Sequence, residues 1–135
     1  MKKYEFLEHP SDIKIRAFGS NLPEMFVNAV LGMMAFLYGD TSSIPSSKKS
    51  HTIQIESSNL ESSLVDWLSE ILWLSDTKHC VCTDIQIIEF GDNKIIAEVL
   101  LLEATAKDDI KAVTYHDLKV EKVGDKWISE IVFDI

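Results

Sequence analysis

Apolar and polar positions change period several times along the chain, and each change marks an element. Lys3 to Glu8 alternate, with Tyr4 and Phe6 on one face and Glu5 and Leu7 on the other, which predicts a strand. His9-Pro-Ser-Asp12 interrupts it, because Pro10 cannot donate a ladder hydrogen bond. Ile13, Ile15 and Ala17 resume the alternation and leave Asp12 at the mouth of a second strand. After a Gly19-Ser20-Asn21 turn the spacing becomes helical: Leu22, Met25, Phe26, Ala29, Val30, Met33, Met34 and Leu37 form one apolar stripe. Asn21 is suited to cap that helix, Pro23 and Glu24 to its first turn, and Gly39 to its end. Residues 40–50, rich in serine with Pro45 and Lys48-Lys49, read as a loop.

Alternation returns from His51 to Glu56, with Ile53 and Ile55 on one face. Ser58-Asn-Leu-Glu61 has the form of a capping box, and Leu60, Leu64, Leu68, Ile71 and Leu72 supply the stripe of a second helix, flanked by Trp67 and Trp73. Val81 to Phe90 and Lys94 to Glu103 then read as a hairpin around Gly91-Asp92-Asn93. Ile95 to Leu102 is nearly continuously apolar, which predicts a central strand covered on both faces. Residues 104–110 are polar and loop-like. Leu118 and Val120, the Gly124-Asp125 turn, and Trp127, Ile131 and Phe133 predict a last hairpin ending at Asp134 and Ile135. The order ββα, β, α, ββ and a hairpin fits an α+β fold better than a doubly wound parallel one. We expect a two-layer sandwich of largely antiparallel or mixed β-sheet carrying two amphipathic helices.

Composition narrows the function classes. The 135 residues suit a single domain, 1–135. A net charge of −9 disfavours direct nucleic-acid binding, which needs clustered Lys and Arg. No apolar run approaches the roughly 20 residues of a membrane span, and the charged, alternating N-terminus differs from a signal peptide, so a cytoplasmic protein is expected. Cys80 and Cys82 are read as reduced thiols.

Nucleophilic catalysis has little support, since neither a G-x-S-x-G elbow nor a phosphate-cradling glycine loop is present. His79-Cys80-Val81-Cys82 offers three zinc-ligand types but lacks a second pair spaced to complete a tetrahedron, and reads as small residues entering a strand. Asp12 and Asp134 both fall at strand ends, and the carboxylate of Ile135 would complete an all-oxygen set suited to calcium or magnesium. Unpaired, those anions repel; a cation is one candidate to tie them. Lys111 and His116 flank Ala-Val-Thr-Tyr and, if extended, point to opposite faces. His116 or His9 would be the natural general base, although a histidine hydrogen-bonded at a strand end is the commoner arrangement.

Several stretches together carry a resemblance: Tyr4-Glu-Phe-Leu-Glu-His9, Asp12-Ile13, Ala17-Phe-Gly19, Val65-Asp-Trp-Leu-Ser-Glu-Ile-Leu72, Lys111-Ala-Val-Thr-Tyr-His116 and Phe133-Asp-Ile135. The chain resembles the archease family from its first strand to its last residue. It departs at Pro10-Ser11, where the family usually has Thr-Ala before the first aspartate. The resemblance implies a non-catalytic activator of an RtcB-type RNA ligase in tRNA splicing and RNA repair. Such a protein promotes guanylylation of the ligase histidine, allows multiple turnover and broadens nucleotide use. It also implies a divalent ion, calcium or else magnesium or manganese, held by Asp12, Asp134 and Ile135. Lys111, with His116 and His9, is then expected to meet the ligase or its nucleotide. Two other classes stay open: a small metal-dependent phosphoester hydrolase using Asp12, Asp134 and His116, and a general chaperone or scaffold.

Overall fold

The computed structural model describes residues 2–39 and 48–135. Strands β1 (Tyr4–Leu7) and β2 (Ile13–Gly19) lead into helix α1 (Leu22–Tyr38), and β3 (Lys48–Glu56) into α2 (Leu60–Lys78). Strands β4 (Cys80–Phe90), β5 (Lys94–Glu103), β6 (Ala112–Val113), β7 (Lys119–Val123) and β8 (Lys126–Asp134) complete the fold. It is an α+β architecture with two antiparallel sheets and two helices. One sheet has the order β3-β5-β4; the other runs β1-β2-β8, with β6 and β7 sharing the far edge of β8. Among the described residues no helix is long and apolar enough to cross a membrane.

Both helix starts follow from local chemistry. The Asn21 side chain accepts the Glu24 amide at 2.9 Å while the Glu24 carboxylate accepts from the Ser20 amide and hydroxyl, satisfying donors that a helix start leaves open. For α2 the cap is Asn59, accepting from the Ser62 amide, so the expected Ser58–Glu61 box is displaced by one residue. Gly19 is required by close approach: a Cβ there would lie 2.4 Å from the Met25 amide nitrogen. The α1 stripe is buried as its spacing predicts, around Met25, Phe26, Val30 and Met33.

Three expectations are corrected. Trp67 does not flank the core but is fully buried in it, its indole N–H donating to the Phe26 carbonyl, while Trp73 is 58% exposed. Residues 48–50 of the expected serine loop belong to β3, because the long β5 continues the ladder opposite them as far as Leu102; the rest of that loop, 40–47, lies outside the described residues. Strand β5 is central but not covered on both faces: Ile95, Ala97, Val99 and Leu101 are buried while Glu98 is exposed. An apolar run therefore overstated how much of the strand the helices cover.

Candidate functional site

Strand register assembles the site. On one side of β8, Ile13 pairs with Phe133, so the next positions outward, Asp12 and Asp134, come to the same end of the sheet. On the other side Ala112 pairs with Asp134, and the Lys111 amide donates to the Asp134 carbonyl at 2.7 Å. Asp12, Asp134, Ile135 and Lys111 are thus neighbours by ladder geometry although they are far apart in sequence. Phe133, only 1% exposed, anchors this end in the core.

The Asp12 loop is a tight turn. Pro10 and Ser11 occupy its centre, Ser11 has φ +64°, and the Asp12 amide points back to the His9 carbonyl at 3.4 Å. Proline followed by a positive φ is the type II turn pattern, so Pro10-Ser11 forms a defined turn here. The turn holds the His9 side chain mostly out of solvent, with Nδ1 3.6 Å from the Asp12 carboxylate and Nε2 3.5 Å from that of Asp117. Both separations exceed hydrogen-bond length, and His9 Nδ1 is buried without a hydrogen-bond partner.

Lys111 and His116 are not joined by extended chain. Residues 114–118 cover only the β8 positions Ile131 and Val132, because β7 pairs again at Lys119 opposite Glu130, so the surplus bulges outward. Thr114 secures its base, giving both its amide and its hydroxyl to the Val132 carbonyl. Asp117 turns with φ +52°, a left-handed conformation that Asp tolerates better than most residues. His116 Nε2 and His9 Nε2 consequently each lie 3.5 Å from the Asp117 carboxylate, and the two rings meet edge-on at 5.8 Å. Asp117 is the residue missed in the sequence; its only signal was the break in alternation before Leu118.

Beside this cluster, Lys111 lines a groove of about 300 Å³ with Leu72, Trp73, Ile110 and Val113. Four residues along the same two strands, Arg16 binds Glu130 through Nε at 2.9 Å and Nη2 at 2.8 Å, and Glu5 through Nη1 at 2.8 Å. The Glu130 hydrogen bonds hold the Arg16 guanidinium above its usual range. Burial alone would raise the Glu130 carboxyl, but the hydrogen bonds and charge of Arg16 keep it below the ordinary carboxylate value. The expected cysteine pair is free and buried, and burial pushes the Cys82 thiol up to about 12. His79 is the left-handed C-cap of α2 and exposed, so this trio forms no inward-facing ligand set.

The fold and site define a small α+β domain whose polar chemistry is gathered in two loops and a strand terminus at one end of a sheet. The archease protein family model matches residues 4–135. Archease of Methanosarcina barkeri is 38% identical over 99% of this chain and 97% of the relative, and that of Thermococcus kodakarensis is 35% identical over the whole of both. The solution structure of protein 1598 from Methanobacterium thermoautotrophicum superposes with TM-score 0.77 at 26% identity, covering both chains fully. A Thermotoga maritima archease, described as a possible chaperone, shares the fold at TM-score 0.71 and 22% identity, covering 96% of this chain and 94% of its own. The chain belongs to the archease family.

Proposed function

We propose that this protein is a non-catalytic activator of an RtcB-type RNA ligase, acting in the cytoplasm on the ligase and not on RNA directly. In this reading Asp12, Asp134 and main-chain oxygen of Ile135 hold a divalent cation, calcium in the first instance and magnesium or manganese otherwise. The donors are all oxygen and two are anionic, which fits hard cations. When bound, the ion supplies charge neutralisation next to phosphate. Lys111, His116 and His9 then meet the ligase or its nucleotide, and the apolar groove at Trp73 receives partner surface.

The observation that carries the reading is the convergence of Asp12, Asp134 and the Lys111 segment through the shared β8 ladder. Among the described residues, neither Asp134 nor the Lys111 ammonium has an ion-pair partner within 4 Å, so both remain available to an external ligand. A promoted guanylylation step would draw on positioning and charge, both of which these side chains provide.

Multiple-turnover RNA ligation by the cognate ligase, with GTP and metal, tests this with the protein at substoichiometric amounts. Acceleration that disappears in Lys111→Ala and Asp134→Ala is the expected result. A chaperone reading is favoured by the description of the Thermotoga relative. It predicts protection of unrelated unfolding proteins, unchanged in Asp134→Ala, and no stimulation of ligation; phosphoester hydrolysis without any partner would point to the hydrolase class instead.

A further inference from the structure

Two imidazole nitrogens converge on one carboxylate without bonding to it. His9 Nε2 and His116 Nε2 are each 3.5 Å from an Asp117 carboxylate oxygen, and one ligand atom from each of the three residues can be chosen so that all lie within 4.8 Å of one another. These separations are long for a hydrogen bond. They are close to the edge of a ligand tetrahedron, about 3.4 Å for metal–ligand bonds of about 2.0–2.2 Å. We propose that His9, His116 and Asp117 form a second cation site, distinct from Asp12, Asp134 and Ile135, that selects a borderline divalent metal of the zinc class.

The donor set gives the selectivity. Two imidazoles and one carboxylate suit zinc, whereas calcium and magnesium favour oxygen. His9 is oriented from behind: its Nδ1 is buried, otherwise unpartnered, and faces the Asp12 carboxylate at 3.6 Å, the position from which a carboxylate supports a metal-bound imidazole. Pro10 and Ser11 fix the turn that presents His9, and the 114–118 bulge fixes His116 and Asp117, so the ligands come from two restrained loops. His116 and Asp117 are exposed, which leaves the remaining coordination positions open to an outside donor. The proposal does not depend on the ligase reading, because metal binding is measured without a ligase.

The test uses the full chain without a histidine tag, stripped by chelator and titrated with Zn2+ by calorimetry and with Co2+ by visible absorption. The parent should bind one equivalent of Zn2+, and Co2+ should give ligand-field bands without a thiolate charge-transfer band. His116→Ala and Asp117→Asn, with circular dichroism confirming the fold, should each weaken Zn2+ binding by roughly tenfold or more, while Asp134→Ala should leave it within about twofold. Asn retains the left-handed turn at 117, so loss in that variant reports the lost ligand. Zn2+ binding as tight in His116→Ala as in the parent, a thiolate band pointing to Cys80 or Cys82, or loss of Zn2+ in Asp134→Ala would each overturn the proposal.

Discussion

Strands β2 and β8 carry two charged regions a short distance apart, and the two are built on opposite terms. In mid-ladder, Arg16 pairs with Glu130, which also has Lys14 at 3.6 Å, and with Glu5, which Lys2 joins at 2.9 Å. Every anion there has a cation, and the Arg16 contacts are 2.8–2.9 Å long. At the strand ends the side chains of His9 and Asp12, His9 and Asp117, and His116 and Asp117 lie 3.5–3.6 Å apart with no side-chain hydrogen bond among them, and Asp134 has no ion-pair partner within 4 Å among the described residues. A charged cluster that is already satisfied contributes to stability and rigidity. A cluster held together by loops but left unsatisfied has its electrostatic capacity free for a ligand. The contrast separates a structural network from the proposed functional one on the same pair of strands.

If that contrast is right, Glu130→Gln should be the costliest change. It removes the carboxylate that accepts from Arg16 Nε and Nη2, leaving Glu5 as the one charged acceptor of that guanidinium, and should lose about 2 kcal/mol of folding stability by urea unfolding; a loss near zero would remove the structural half of the comparison. The same group defines an acid limb. Its folded pKa is depressed, so its contribution is fully present above the ordinary value of 4.5 and is lost as pH falls through the folded pKa. Parent stability should therefore decline below pH 4.5 more steeply than that of Glu130→Gln, and parallel curves would refute this.

The strand-end cluster should behave in the reverse sense. Asp134→Ala should diminish ligase stimulation by roughly tenfold or more yet leave the urea midpoint nearly unchanged, and a large fall in stability would reassign Asp134 to the structural region. The smallest effect is expected in metal-free, low-salt buffer. There Asp134→Asn removes a like-charge neighbour of Asp12 and should be neutral or stabilising by up to about 0.5 kcal/mol. Destabilisation of the size expected for Glu130→Gln would mean that the strand end is already satisfied without a ligand.

Much of the fold was legible in the sequence because local periodicity reports burial directly. The α1 stripe, the Asn21 cap, the β4–β5 hairpin and the β7–β8 hairpin each depend on residues close together in the chain. Where burial depends on what packs from elsewhere, the pattern misled. Trp67 beside the α2 stripe is in fact enclosed, since α1 supplies both a wall and an acceptor for its indole, and β5 is uncovered at Glu98 although its neighbours are apolar. The serine-rich stretch gave no hint that β5 would extend β3 back to Lys48.

The site divides along the same line. The donors were recognisable from residue type and local context: carboxylates at strand ends, imidazoles in polar breaks, and a lysine before a short apolar pair. Which of them meet follows from strand pairing. Antiparallel pairing of β2 and β6 to opposite edges of β8 brings the Asp12 loop and the Lys111 segment to one end. A bulge whose surplus is visible only when both stretches of β8 pairing are compared turns His116 toward His9 and inserts Asp117 between them. Register is a relation between distant segments, set by side-chain packing over whole strands, and local periodicity cannot carry it.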